Sequence, residues 1–111
     1  MQVRVVNIIP SKLAENVQTT QYTAVNCRTI IDKFAVTNTT ATPVVFTVNL
    51  VPLAGAAATA NQVMRSKSIA PNETYNCPEV VGHTLEPGGF ISTIAGTATA
   101  LALRASGREI T

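Results

Sequence analysis

The sequence predicts an all-β fold: a single antiparallel β-sandwich domain over residues 1–111, jelly-roll-like, with eight or nine short strands. Short runs rich in Val, Ile and Thr recur at intervals of about 8–12 residues. Turn residues such as Pro, Gly and Asn separate these runs, and no strand–helix–strand alternation indicates a parallel sheet. A chain of 111 residues has the usual length of one domain.

Two strands are predicted before the first cysteine. Gln2–Ile9 mixes Val and Ile with polar residues and is followed by a proline, so we expect an edge strand that ends there. Ser11–Asn16 is too short to form an independent helix, and we expect a turn or one helical turn. Val17–Thr23 alternates β-branched and polar residues, which is typical of a half-exposed strand.

Arg28–Asn38 and Val44–Val51 are predicted as longer strands, paired through the polar connection Asn38–Pro43. In the second of them, the inward positions are Val44, Phe46, Val48 and Leu50. In the first, Ile30, Phe34 and Val36 are expected to face the core, and the outward positions are Ile31, Lys33, Ala35 and Thr37. Strict alternation would also place the charged side chain of Asp32 on the side that faces the core. A bulge or strand end near Ile31 would resolve this conflict.

Pro52–Asn61 is rich in alanine but lacks an apolar stripe and contains a glycine, so we expect a loop that packs on, or reaches to, a neighbour. Gln62–Ile69 is predicted as a strand. An extended conformation there would place Arg65 and Lys67 on one face.

The segment Ser68–Ser92 contains two turn sequences, Ala70–Glu73 and Glu86–Gly89, each with proline at its second position. Proline fixes φ near about −65°, which suits a type I or II turn. A short strand is expected over Glu73–Asn76, followed by an irregular corner over Cys77–His83 with one helical turn.

Two long strands are predicted near the end of the sequence, Phe90–Ala95 and Ala100–Ala105. Leu101 and Leu103 are expected to face the core. Ser106-Gly107 is predicted as a turn into the last four residues.

Charged residues make up only 13% of the sequence, about half the usual share, and the net charge is +2. Such low charge with many β-branched residues argues against disorder. It is consistent with a surface partly covered by partners, although free domains also have uncharged surfaces. The bases are spread along the sequence and do not interleave with aromatic residues, so we expect no binding of nucleic acid. No signal peptide and no apolar run of roughly 18 residues is present, so we expect no membrane partner.

Cys27 and Cys77 lie fifty residues apart without a metal-binding or redox spacing. A disulfide between distant strands is one interpretation of this pair. We favour the other, two buried thiols in a reducing cytosol.

The only histidine, His83, has Glu79 and Glu86 near it in sequence. These residues would form either a catalytic His–Glu pair or a surface histidine beside solvated carboxylates. Because no strained Gly-x-Ser-x-Gly turn accompanies them, we favour the surface histidine. One histidine and scattered acids do not form a metal site. We therefore expect no enzyme, no cofactor and no catalytic or metal-binding residue.

The order TNTT-x-TPVVFTVNLVP, SIAPNETYNCPEVVGHTLEPGGFIST and LALRASGREIT, over roughly residues 37–111, resembles small virion proteins of tailed bacteriophages. It is most similar to the head decoration (cement or stapling) proteins of epsilon15-like short-tailed phages. Phage tail, collar and baseplate components contain similar sandwiches, and a module that recognises host glycans stays an alternative.

The resemblance implies a structural protein on the capsid exterior, made in the bacterial host cytoplasm, whose partner is the major capsid protein. It also implies a homo-oligomer, a dimer or trimer at a symmetry axis. Because such a function is spread over a surface, no individual site residue is transferred. The expected contacts are the Gln2–Ile9 strand and the Ala54–Ala60 loop.

Overall fold

The computed structural model describes residues 2–111, and in this part of the chain it contains nine strands. They are β1 (Val3–Leu13), β2 (Thr19–Thr23), β3 (Arg28–Asn38), β4 (Val44–Val51), β5 (Gln62–Ile69), β6 (Thr74–Tyr75), β7 (Thr84–Leu85), β8 (Phe90–Ala95) and β9 (Leu101–Ile110). One turn of 3₁₀-helix covers Thr59–Asn61.

The strands form two antiparallel sheets. Sheet A has the order β1-β9-β3-β6, with β7 also paired to β3, and sheet B has the order β2-β8-β4-β5. The chain crosses between the sheets after β1, β2, β3, β5, β7 and β8, so that strands distant in sequence become neighbours. A five-stranded and a four-stranded sheet with this interleaved order define a jelly roll. The predicted antiparallel, jelly-roll-like β-sandwich is confirmed.

The hydrophobic core lies between the two sheets. The rings of Phe34 from sheet A and Phe46 from sheet B meet in it, with centroids 6.4 Å apart. Val44 and Val48 are buried as predicted, and so are the leucines of β9. Burial of each such side chain stabilises the folded state by about 1.5–3 kcal/mol.

A bulge in β3 reverses the predicted orientation of two isoleucines. The register between β3 and β9 shifts after Ile31, and Asp32 is the additional residue. Ile31 is therefore buried with Phe34, whereas Ile30 points outward and is half-buried. The predicted bulge near Ile31 is confirmed, but the prediction that Ile30 faces the core was wrong because the extra residue changes the parity.

The predicted hairpin between β3 and β4 was also wrong. β3 pairs with β9, and β4 pairs with β8 and β5, so the connection crosses from sheet A to sheet B. The buried side chain of Asn38 holds this crossover: its Nδ2 donates to the carbonyl oxygens of Thr42 (2.8 Å) and Ile69 (2.9 Å). Its Oδ1 accepts from the backbone N–H of Thr40 at 2.9 Å.

The first and last strands are longer than predicted. β1 continues through Pro10 to Leu13, where a turn was expected, and β9 continues through Gly107 to Ile110. Proline is tolerated because β1 is an edge strand and its register shifts around this position. Pairing between the two strands, from Val3 opposite Ile110 onward, keeps both segments extended.

A second bulge separates the two bases of β5. Ser66 has a φ of 47°, and the register between β4 and β5 shifts there. Lys67 lies opposite the inward residue Phe46, whereas Arg65 is exposed on the other side. The prediction that Arg65 and Lys67 share a face was wrong, since it assumed an unbroken strand.

Both predicted turns are present, and both are of type II. The N–H of Glu73 donates to the carbonyl of Ala70 (3.1 Å), and that of Gly89 donates to the carbonyl of Glu86 (2.8 Å). The third residues of the turns, Asn72 and Gly88, have φ values of 60° and 88°. A positive φ at this position distinguishes type II from type I.

The corner over Cys77–His83 contains the predicted helical turn, in which the N–H of Val81 donates to the carbonyl of Cys77 at 3.2 Å. The short strand β7, which follows this corner, was not predicted.

Candidate interaction surfaces

The structure does not assemble the residues considered for catalysis. The hydroxyl of Tyr75 donates to the carboxylate of Glu79, with both oxygens 2.8 Å away, and Glu86 pairs with Arg28 at 3.0 Å. The bond to Glu79 raises the pKa of Tyr75 to about 12. His83 is exposed at the end of the corner. Within residues 2–111, no three His, Cys, Asp or Glu residues are grouped so that they could hold a metal ion.

Cys27 and Cys77 are both buried, free thiols. The predicted pair of buried thiols is confirmed, and the disulfide alternative is unsupported. Burial, with a smaller contribution from the nearby Glu79 carboxylate, raises the pKa of Cys77 to about 12. A thiol that stays protonated is a poor nucleophile, so Cys77 is a packing residue.

The free edge of β1 is the first candidate interaction surface. The backbone N–H and C=O groups of Gln2 are both hydrogen-bonded to Thr111. In an antiparallel pair, every second residue counted from Gln2 is therefore hydrogen-bonded to the partner strand β9. The N–H and C=O groups of Val3 and Val5 therefore point away from β9, toward the open side. Their side chains are 50% and 81% exposed. Exposed backbone beside exposed valines is the arrangement to which another strand can be added.

A polar cluster holds this edge in place from the inner side. Arg4 pairs with Glu109 at 2.9 Å, and Glu109 also accepts from the hydroxyl of Tyr22, which reaches across from sheet B. The hydrogen bond from Tyr22 and then the pair with Arg4 lower the pKa of Glu109. Because this cluster connects β1 to β9 and to β2, the strand that forms the free edge is fixed to both sheets.

The loop end of the sandwich is the second candidate surface. It consists of the β2–β3, β4–β5 and β7–β8 connections and presents Val25 (69% exposed), Leu53 (70% exposed) and Pro87. Leu53 lies directly over Gly88, where a side chain would collide with it. Depressions of about 460 Å³ and 330 Å³ lie on the two sides of Leu53 and Pro87. Exposed apolar side chains are concentrated at this end, which makes it a candidate for contact with another surface.

The predicted Ala54–Ala60 loop belongs to the loop end, and it packs on sheet B while its own residues stay exposed. The buried side chain of Asn49 donates to the carbonyl of Ala58 (3.0 Å) and to Oδ1 of Asn61 (2.7 Å). Asn61 in turn donates to the carbonyl of Ala56 at 2.9 Å. Two asparagines thus hold an alanine-rich loop whose residues 54–60 are all exposed.

Sheet A collects basic residues that are scattered in the sequence. The strands of sheet A contain six of the eight basic residues and two of the six acidic ones, a net charge of +4. The rest of the chain therefore carries a net charge of −2. Sequence reasoning missed this surface, because only the pairing of β1, β9 and β3 brings the bases together.

Strand order and packing define the class of this protein as a jelly-roll β-sandwich. No family model and no curated protein matches the chain. The chain is similar to the infectious bursal disease virus VP2 subviral particle, with 14% identity and a TM-score of 0.46, over 98% of this chain and 32% of that one. A second structure, of the Gx strain of infectious bursal disease virus, has 15% identity and a TM-score of 0.45, over 98% and 33%.

The chain thus spans about a third of the length of either solved chain. Because both TM-scores are below 0.5, the fold is assigned from the strand order of this protein alone. Among residues 2–111, no helix is long and apolar enough to cross a membrane.

Proposed function

We propose that this chain is a structural protein of a virion: a single β-sandwich domain that binds the outer surface of a phage capsid and staples neighbouring major capsid subunits. The observation that carries the proposal is the free edge of β1, where the backbone groups and side chains of Val3 and Val5 are both open. The resemblance of residues 37–111 to head decoration proteins supports it.

The physical account rests on two contact surfaces at different places on one rigid body. Strand addition at β1 contributes directional backbone hydrogen bonds, and the loop end around Leu53 and Pro87 contributes apolar area. A protein with two such surfaces can bridge two capsid subunits. Each contact can be weak, because the lattice holds many copies together and the contacts reinforce one another.

Co-sedimentation of the purified chain with expanded, undecorated capsids of an epsilon15-like phage tests the proposal. We expect saturable binding at a fixed copy number per capsid subunit. Native mass spectrometry of the free protein and of the complex would show whether a dimer or a trimer at a symmetry axis is the binding form.

A pair of matched variants tests the role of the β1 edge. Val5→Pro removes an N–H that points away from β9, so the fold should persist while strand addition is blocked. Val17→Pro makes the same exchange at an exposed valine outside the strands and should bind capsids normally. A folded wild-type protein that does not bind capsids would contradict the proposal and would favour a tail, collar or baseplate component, or host-glycan recognition.

A further inference from the structure

The outer face of sheet A, which points away from sheet B, contains two bases that lack acidic partners. Arg28 on this face pairs with Glu86 at 3.0 Å, and Arg108 makes two hydrogen bonds of 3.0 Å to Asp32. Within residues 2–111, no carboxylate lies within salt-bridge distance of the two bases that remain. These are Lys33 and Arg104.

The pairing of β3 with β9 places these two cations beside each other. Lys33 lies opposite Ser106, and Arg104 lies opposite Ala35, so the two long side chains are diagonal neighbours. The other diagonal carries only small side chains, those of Ala35 and Ser106. A depression of about 270 Å³ lies between Lys33 and Arg104, with Asn76 at its rim.

Arg104 is oriented before any ligand binds. Its guanidinium donates to the Ser11 hydroxyl at 3.0 Å and to Oδ1 of Asn7 at 3.4 Å, both on β1. These neutral partners fix the direction of the side chain and leave its charge uncompensated. Lys33 is exposed on the other side of the depression.

The geometry points to this cleft, between Lys33 and Arg104, as a docking site for a carboxylate of an acidic, extended segment of a partner polypeptide. Charge complementarity is the reason: Lys33 and Arg104 are neighbouring cations that no described carboxylate neutralises. Guanidinium and ammonium groups form their strongest hydrogen bonds with anionic oxygens. If the proposed function holds, the acidic segment belongs to the capsid subunit, and in that respect the inference rests on it.

The observations favour an acidic polypeptide over nucleic acid. No outward position of β1, β3 or β9 in the described chain carries an aromatic side chain on which a base could stack. In the described chain the outer face of sheet A carries only this one pair of uncompensated cations, whereas binding of a nucleic-acid backbone neutralises phosphates along a strand. A single cleft suits one or two carboxylates.

Titration of the ¹⁵N-labelled protein with a short polyglutamate peptide tests the cleft directly. We expect saturable shifts of the amide signals of residues 33–35 and 104–106, with an affinity that falls as salt is added. Lys33→Gln/Arg104→Gln should weaken binding about tenfold or more. Arg65→Gln/Lys67→Gln on β5 removes the same charge from sheet B and should retain the wild-type affinity.

Equal weakening in both double variants, or shifts confined to other residues, would show a general charge effect and overturn the inference. Tighter binding of an oligothymidylate at the same amides would also overturn it, in favour of nucleic acid.

Capsid co-sedimentation separates this inference from the proposed function. Capsid binding by the wild type with a loss in Lys33→Gln/Arg104→Gln alone supports both. Capsid binding that is equal in wild type and this variant overturns the cleft as the docking site and leaves the stapling function standing. If no form binds capsids, the stapling function fails, and the polyglutamate titration still decides the inference.

Discussion

Gly107 lies against the carbonyl oxygen of Ile30, so close that a Cβ at position 107 would overlap that oxygen. The contact arises where the bulge at Asp32 brings the backbone of β3 against β9. Glycine is therefore required in the middle of β9 for space, even though its position after Ser106 suggested a turn.

Substitution Gly107→Ala should destabilise the fold by about 1–3 kcal/mol, because a backbone carbonyl cannot move aside as a side chain can. Urea unfolding would measure this as a lower midpoint with an unchanged slope. Gly96→Ala is the matched control: its Cβ would lie 2.8 Å from Cγ2 of Val45, an exposed side chain that can rotate away. A Gly107→Ala protein as stable as the wild type would contradict the tight contact.

Asn49→Ala should release the alanine-rich loop without unfolding the sheets. The change removes the hydrogen bonds to Ala58 and Asn61, and we expect a loss of about 1–2 kcal/mol. Hydrogen exchange should increase at residues 56–61 and stay unchanged in β4 and β8. Thr59→Ala, in the same exposed loop, should leave exchange at the wild-type level. Retained protection of the loop in Asn49→Ala would show that other contacts hold it.

Glu109→Gln should make stability less dependent on pH in the acid range. Because the hydrogen bond from Tyr22 and the pair with Arg4 lower the pKa of Glu109, its carboxylate stabilises the fold above the unfolded-state pKa of about 4.3. That contribution is lost as the pH falls through the lower, folded-state pKa. At pH 7 the variant should be about 1 kcal/mol less stable than the wild type, and the difference should shrink toward pH 3.

Urea midpoints at both pH values would measure this effect. Glu86→Gln is its control, since the pair of Glu86 with Arg28 is exposed and contributes little to stability. A constant difference between wild type and Glu109→Gln at pH 7 and pH 3 would contradict a role for the charge.

Neither cysteine should react with iodoacetamide in the folded protein at pH 8. Both thiols are buried, and the pKa of Cys77 is raised to about 12, so almost no thiolate is exposed to the reagent. Intact-mass spectrometry should show no alkylation in buffer and alkylation of both cysteines in urea. A native mass lower by two hydrogens, with no labelling in urea, would instead show a disulfide.

Several elements could be predicted from the sequence because their causes are local. The bounds of β3, β4, β5 and β8 follow from β-branched runs ended by turn residues. The two Pro-containing turns follow from the fixed φ of proline, as at Pro71. The bulge in β3 was foreseeable from a charged residue, Asp32, at an inward parity.

The candidate surfaces were predictable only in part. The β1 edge and the alanine-rich loop have local signatures, and both lie at the surface as expected. The direction of the free backbone groups of Val3 and Val5 depends on which residues β9 pairs with. Pairing across nearly the whole chain, as between Gln2 and Thr111, leaves no signal in a short stretch of sequence.

The sequence by itself determined the all-β class, the bounds of four strands and the positions of the two proline turns, because each depends on conformational preferences within a few residues. The tertiary structure decided which strands pair, which isoleucine of β3 is buried and where the bases collect. Those outcomes depend on contacts between distant residues: Asn38 holds a crossover in place of a hairpin, and β9 brings Arg104 beside Lys33.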